Sequence, residues 1–149
     1  MIIRPAHREE LEELSALCLR AKAYWPYDAA FIEACREELT ITPEDLEQHT
    51  IMVGEQNNKP IGVIRLDRIE DGYDLDLLFV EPDYIGMGVG RQLLEWGIDH
   101  AIAQGCHLIT TVADPNAEAF YAHMGFKRVG EYASSSIPGR TLPAMERAL

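Results

Sequence analysis

The residues from Tyr73 to Ala113, YDLDLLFVEPDYIGMGVGRQLLEWGIDHAIAQGCHLITTVA, decide the fold. Tyr73 to Val80 and His107 to Ala113 are rich in apolar residues and have the length of buried strands. Between them, apolar residues recur at helical spacing from Gly88 to Gln104, and Gly105 ends this helix. A strand, helix, strand unit joins parallel strands by a right-handed crossover, so the segment predicts a parallel pair in an α/β sheet.

The rest of the chain adds helices before this unit and strands on both sides of it. Helices are predicted from about His7 to Ala23, from a cap at Asp28 to Leu39, in a short turn after Thr42, and from Asp114 to about His123. Further strands are predicted over Ile2–Arg4, Thr50–Glu55, Pro60–Asp67, Phe126–Tyr132 and Thr141–Arg147, with a hairpin loop at Gln56–Lys59. The order β-α-α-β-β-β-α-β-α-β-β predicts one mixed α/β domain.

Composition and charge exclude several classes of protein. The chain has 149 residues, 47% of them hydrophobic and 26% charged, as in a single globular domain. No apolar run approaches the ~18 uncharged residues of a membrane span. The chain does not start like a signal peptide, so we expect a cytoplasmic protein with no membrane partner. A formal net charge of −12 repels phosphate backbones, which argues against nucleic-acid binding.

The cysteines and histidines predict neither a disulfide nor a metal site. Cys18, Cys35 and Cys106 are odd in number and form no C-x-x-C pair, and the first two lie on apolar helix faces, which favours the core. The five histidines, at positions 7, 49, 100, 107 and 123, show no ligand spacing. His107 and His123 stay open as proton-transfer residues, although nothing in their spacing selects either.

A glycine-rich loop, GMGVGR from Gly86 to Arg91, leads into the helix of the central unit. Alternating glycines let main-chain N–H groups approach an anion, and a helix start favours negative charge, so the loop predicts a diphosphate site. It has no Walker Lys-Ser/Thr, and Arg91 stands where G-x-G-x-x-G has its third glycine. A second helix, starting at Pro115, should open toward the same sheet edge. The alternative, glycines that only permit close helix packing, stays open.

Three ordered motifs resemble the GNAT superfamily of N-acetyltransferases. They are Val80-Glu81-Pro82, the loop from Ile85 to Gly90, and NAEAFYAHMGF from Asn116 to Phe126. The loop departs from the family at Ile85, where the family has Gln or Arg. The resemblance implies one domain over residues 1–149, with a mixed, mostly antiparallel sheet, helices on both faces, and one parallel β-α-β unit splayed at the cofactor site.

The resemblance also implies a ligand and its contacts. Acetyl-CoA is the expected cofactor, with its pantetheine arm paired in strand fashion to the main chain of Leu78, Phe79 and Val80. Its pyrophosphate is expected on the loop, at Gly86, Met87, Gly88, Val89, Gly90 and Arg91, and a pantetheine amide at Asn116. For Asn116, a first-turn helix residue without a ligand is the alternative.

By the same resemblance, the chain transfers the acetyl group to an amine of a small molecule or peptide by direct attack. A coenzyme-A-binding regulatory or structural module without transferase activity is the alternative function. A protein that binds nucleotide phosphates through the loop alone is disfavoured by the missing Lys-Ser/Thr. The resemblance leaves a homodimer open.

Two kinds of side chain are candidates for the chemistry. Tyr121 is the candidate donor to the departing thiolate, and full proton transfer from a phenol to a thiolate is uphill by ~2 kcal/mol, which favours a hydrogen bond. Asp74 and Asp76 alternate on one face of a strand, with Leu75, Leu77 and Phe79 expected on the other. Asp76 is the candidate general base, and a water-exposed strand end is the alternative for the pair.

The acceptor is expected between the first two helices and the last hairpin. Candidates there are Tyr24, Trp25, Tyr27, Asp74, Ser136 and Arg140. Arg140 could clamp a carboxylate or phosphate of the acceptor, and a solvated loop arginine is the alternative. The aromatic residues are equally suited to sealing the junction of the two helices.

Overall fold

Seven strands form one sheet in the computed structural model, which describes all residues from Met1 to Leu149. The strands are β1 (Ile2–Pro5), β2 (Thr50–Gln56), β3 (Lys59–Ile69), β4 (Gly72–Val80), β5 (Leu108–Val112), β6 (Lys127–Ala133) and β7 (Thr141–Ala148). Their order across the sheet is β1-β2-β3-β4-β5-β7-β6, and only β4 and β5 are parallel. The predicted parallel pair in a mostly antiparallel sheet is confirmed.

Five α-helices connect the strands. They are α1 (Leu11–Lys22), α2 (Ala29–Leu39), α3 (Pro43–Gln48), α4 (Val89–Ala103) and α5 (Glu118–His123). The first helix is shorter than predicted, because residues Arg8–Glu10 form a tighter 3-10 turn. None of the five is long and apolar enough to cross a bilayer.

Local hydrogen bonds fix several of the predicted boundaries. The Asp28 carboxylate accepts from the N–H of Phe31 at 2.8 Å, which caps α2 as predicted. Thr42 and Asp45 form a reciprocal capping box at the start of α3. Asn57 and Asn58 both have positive φ, 54° and 62°, as a tight two-residue hairpin turn between β2 and β3 requires.

Two hydrophobic cores lie on opposite faces of the sheet. The helices α1 and α2 cover one face, where the fully buried side chains include Leu14, Leu17, Cys18, Cys35, Val53 and Val63. The helices α4 and α5 cover the other face, where they include Leu93, Leu94, Ile61, Ile64, Leu66 and Ile109. Burial of each leucine contributes roughly 1.5–3 kcal/mol. The two cysteines of the first core lie where the sequence predicted them.

A β-bulge interrupts β4 at Asp76. Leu75 pairs with Leu66 and Leu77 with Arg65, so Asp76 has no partner in β3. The extra residue shifts the alternation of side chains by one position. The expectation that Leu75 shares a face with Leu77 and Phe79 is therefore wrong: Leu75 packs under α4, whereas Leu77 and Phe79 pack under α1.

Candidate functional site

A cavity of about 780 Å³ opens where β4 and β5 separate. Only Gly72–Leu75 of β4 pairs with β5, at Leu108–Thr111. The remainder of β4 has no neighbouring strand on that side. Most of the side chains that line the cavity are hydrophobic. An apolar cleft at the carboxyl ends of parallel strands is a common ligand site in α/β sheets.

One wall of this cavity is the free edge of β4. The Thr111 hydroxyl donates to the carbonyl of Leu75 at 2.9 Å, where the ladder to β5 stops. Leu78, Phe79 and Val80 follow along this edge and line the cavity. Their main chain can therefore pair with an extended ligand that lies between the strands.

A second wall is formed by the glycine loop and the start of α4. Gly86 and Gly88 have φ of 85° and 82°, a conformation that favours glycine. The N–H groups of Gly88, Val89, Gly90 and Arg91 have no main-chain acceptor. They can bind an anion at the helix N-terminus without help from Ile85, where the sequence departs from the family pattern.

Tyr121 is a buried residue of the cavity lining. The side chain is only 6% exposed, and its ring packs edge-on against Phe120 and Phe126. Burial raises the pKa of Tyr121, and the neighbouring Thr111 hydroxyl opposes this effect. The phenol is therefore protonated throughout the ordinary pH range and can act there as a hydrogen-bond donor.

The two aspartates of β4 differ in their surroundings. Asp76 lines the cavity, and its carboxylate lies 3.4 Å from a guanidinium nitrogen of Arg65. Asp74 accepts a 2.7 Å hydrogen bond from Thr110 and does not line the cavity. Loss of solvation raises the pKa of both carboxyls, although the Asp76 side chain is still 37% exposed. The charge of Arg65 opposes the shift at Asp76, and the Thr110 hydroxyl opposes it at Asp74. Asp76 is therefore the better placed of the two to accept a proton from a ligand.

A cluster of polar side chains forms another part of the cavity lining. The Asp114 carboxylate lies 2.6 Å from the Lys22 ammonium and 3.6 Å from the Arg140 guanidinium. The Tyr27 hydroxyl donates to Asp114 and accepts from Asn116 and Arg140, at 2.9 to 3.1 Å. Burial alone would raise the pKa of Asp114, but the bond to Lys22 holds it below its usual range. We call these five residues the Asp114 cluster.

The structure brings most of the predicted site residues together. Trp25 also lines the cavity, and so do Arg91 and Asn116. Tyr27 reaches it through its hydrogen bonds in the Asp114 cluster. Met87 is 66% exposed, and Met87, Tyr24 and Ser136 lie outside the cavity lining.

Sequence reasoning missed Lys22, Asp114 and Arg65. Lys22 had a signal, since it follows Cys18 by four residues and Leu14 by eight, on the apolar face of α1. A lysine on that face needs a buried partner. The sequence contains no indication that this partner is Asp114, 92 positions away.

Comparison with known proteins identifies the relatives of this architecture. Residues 47–128 match the family described as "Acetyltransferase (GNAT) domain". The peptidyl-lysine N-acetyltransferase YjaB of Escherichia coli (strain K12) is 32% identical, covering 98% of this chain and 95% of its own. YjaB of Salmonella typhimurium is 33% identical, over 84% of this chain and 64% of its own.

Solved structures show the same fold. A GCN5-related N-acetyltransferase of Rhodopseudomonas palustris superposes with a TM-score of 0.85 and 24% identity, over 99% of this chain and 95% of its own. The PaiA N-acetyltransferase of Thermoplasma acidophilum, solved in complex with coenzyme A, gives a TM-score of 0.83 and 20% identity, over 99% and 98% of the two chains.

Proposed function

Because the chain belongs to the GNAT superfamily of acetyl-CoA-dependent N-acetyltransferases, we propose that it acetylates the side-chain amine of lysine in a peptide or protein. One observation carries the assignment of the site. The free edge of β4, the unbonded N–H groups at the start of α4 and the Tyr121 phenol all meet in one cavity. Lysine is the proposed acceptor because the E. coli relative, named for that activity, matches nearly the whole chain.

The residues of the cavity suit acetyl-CoA, which supplies the activated thioester. The main chain of Leu78, Phe79 and Val80 would pair with the extended pantetheine arm. The N–H groups of Gly86, Gly88, Val89, Gly90 and Arg91 would hold the pyrophosphate, whereas the N–H of Met87 already donates to the Tyr84 carbonyl at 3.3 Å. Asn116 remains our proposed partner for a pantetheine amide, although its side chain already donates to Tyr27 and Asp114 at 3.0 Å.

Asp76 would accept the proton that the acceptor must lose. A lysine ammonium has a pKa near 10.4, so roughly one side chain in 2,500 is neutral at pH 7. The raised pKa of Asp76 makes it a stronger base than an ordinary carboxylate, and its place in the wall lets it hold the ammonium first. The proton then passes from Asp76 to water.

Tyr121 would assist the departing sulfur. The neutral amine would form a bond to the thioester carbonyl carbon, and the carbon–sulfur bond would break. The nitrogen would lose its second proton to water as the amide forms, and the thiolate would gain one proton from water. Because burial raises the pKa of Tyr121, full transfer of its proton to a thiolate is uphill by more than about 2 kcal/mol. Its phenol therefore acts by donating a hydrogen bond that stabilises the sulfur as negative charge develops on it.

A transfer assay tests this proposal. The purified chain and acetyl-CoA are mixed with a peptide that has blocked ends and a single lysine, and free thiol and acetylated peptide are both measured. A matched peptide with norleucine in place of lysine controls for simple hydrolysis. We expect thiol release and acetylation with the lysine peptide only. Release with small amines alone would indicate a small-molecule acceptor, and binding without any release would indicate a coenzyme-A-binding module.

We also propose a cytoplasmic location, no nucleic-acid partner, and a homodimer that remains to be tested. The three cysteines are unpaired, as in proteins of the reducing cytoplasm, which supports a cytoplasmic location. The net charge of −12 supports the absence of a nucleic-acid partner. All seven residues of β6 are exposed at an edge of the sheet, which supports a homodimer through this strand. Light scattering on the purified chain measures the mass in solution.

A further inference from the structure

Arg140 is held rigidly beside the cavity by two aromatic rings. Its guanidinium lies 4.7 Å from the ring centre of Phe31 and 5.3 Å from that of Tyr27, and the two rings stack on each other at 4.0 Å. The side chain is 19% exposed. A guanidinium fixed in this way loses little conformational entropy when it binds a ligand.

The positive charge of Arg140 is only partly compensated. Its nearest carboxylate, Asp114, lies 3.6 Å away and is in closer contact with Lys22, at 2.6 Å. A second carboxylate, that of Glu38, lies on the exposed face of α2 and accepts a hydrogen bond from the Ser135 hydroxyl. It forms no ion pair with Arg140, whose only carboxylate within 4 Å is Asp114. Exposed charges are screened by salt more than half-buried ones. Two cations therefore share one half-buried carboxylate in this part of the site.

Arg140 also has unused hydrogen-bond donors. One Nη donates to the Tyr27 hydroxyl at 2.9 Å, whereas Nε and the other Nη have no acceptor within the chain. A half-buried guanidinium with free donors suits a carboxylate, which can accept two parallel hydrogen bonds. The Asp114 carboxylate beside Arg140, with Asp76 in the lining of the same cavity, makes a doubly charged phosphate a less favourable guest than a singly charged carboxylate.

Arg140 and Asp76 line the same cavity. The geometry points to an acceptor that carries a carboxylate in addition to its reacting amine, with the amine held at Asp76 and the carboxylate at Arg140. This inference rests on the proposed lysine acetylation and adds an acidic group to the substrate. The carboxylate could belong to an acidic residue beside an internal lysine or to the lysine's own α-carboxylate.

Two matched pairs of acceptors distinguish these sources. The first pair is a peptide with blocked ends, Glu beside its single lysine, and the same peptide with Gln. The second pair is Nα-acetyl-lysine and its amide. We expect the wild-type chain to prefer the charged member of one pair by about 10-fold or more in kcat/KM, as for a hydrogen bond between charged groups. The pair that shows the preference identifies the source.

Variants assign the preference to Arg140. Arg140→Gln should reduce the ratio between charged and neutral acceptors to about one, and Arg140→Lys should keep part of it, since lysine retains the charge but not the paired donors. Arg128→Gln removes the same charge from exposed β6, outside the cavity lining, and should leave the ratio unchanged. Because each result is a ratio within one protein, it does not depend on the active fraction of a preparation.

Equilibrium binding of the same acceptors, with coenzyme A present, tests the inference even where no acetyl group is transferred. A wild-type chain that binds both members of each pair equally would overturn the inference without any variant, and so would a preference that Arg140→Gln retains. A preference in binding without any transfer would instead contradict the proposed function.

Discussion

Replacing Tyr121 by Phe removes one oxygen atom from a buried side chain of the cavity lining and leaves the rest of that side chain in place. The ring keeps its edge-on contacts with Phe120 and Phe126, which lie 5.2 and 5.4 Å away between ring centres. We therefore expect the free energy of unfolding to change by no more than about 1 kcal/mol. The affinity for acetyl-CoA should change less than about twofold, because the proposed hydrogen bond forms chiefly as the thioester breaks.

The catalytic effect should be much larger than the effect on stability. Loss of one hydrogen-bond donor to the departing sulfur should lower kcat and kcat/KM together by ~10–1000-fold. Thiol release under single-turnover conditions measures the chemical step, and a binding titration measures acetyl-CoA affinity. Tyr73→Phe is a matched control. Tyr73 is 7% exposed in the same core, lies outside the cavity lining, and its hydroxyl is 3.3 Å from His100.

Two results would refute this reasoning. An undiminished kcat for Tyr121→Phe, where chemistry limits the rate, would show that Tyr121 is a packing residue. A loss of the wild-type rate on approaching pH 10 that the Phe variant does not share would show that the phenol ionises in the working range. The raised pKa predicts no such loss.

Three further perturbations test other parts of the site. Asp76→Asn should lower kcat/KM by roughly 10–100-fold at pH values between the pKa of Asp76 and the pKa of the amine, and Asp74→Asn should lower it less. If both variants keep the wild-type pH–rate profile, water rather than Asp76 accepts the proton. Acetyl-CoA at ~100 times its Kd should raise the Tm by ~5–11 °C and NAD or ATP by clearly less, whereas equal shifts in differential scanning fluorimetry would indicate a general phosphate site. Asp114→Asn leaves Lys22 without a carboxylate and should lower the free energy of unfolding by about 3 kcal/mol at pH 7. Because the pKa of Asp114 is lowered in the folded chain, its ionised carboxylate stabilises the fold at pH values above the ordinary aspartate pKa. Urea titrations should therefore show the stability difference between wild type and Asp114→Asn shrinking below about pH 4, and a difference that stays constant with pH would contradict this prediction.

The sequence predicts the elements because their signals are local. Helical spacing from Gly88 to Gln104, the cap at Asp28 and the Asn57-Asn58 turn each act within a few residues, and the structure confirms them. The glycine loop is predictable for the same reason. Its positive φ angles and free N–H groups follow from glycine at Gly86 and Gly88 and from the start of a helix.

The remainder of the site depends on tertiary contacts that no local pattern contains. The bulge at Asp76 is set by how β4 fits against β3 under two different cores, and simple alternation therefore misplaces Leu75. The Asp114 cluster joins residues from α1, the α1–α2 connection, the β5–α5 connection and the β6–β7 hairpin. Tyr27 and Arg140 in this cluster are 113 positions apart. Their pairing follows only from the finished topology.

The bulge restricts how this protein can change in length. Before Asp76, Tyr73 and Leu75 of β4 pack into the core under α4, and after it Leu77 and Phe79 pack into the core under α1. Loss of Asp76 would close the bulge and make Leu75 and Leu77 direct neighbours that still face opposite sides of the sheet, so the fold should survive. Loss of one residue between Leu77 and Val80 would instead turn the side chains on one side of the gap to the opposite face and should abolish folding. Among folded descendants of this chain, deletions in β4 should therefore be found at Asp76 and be absent from the stretch after it.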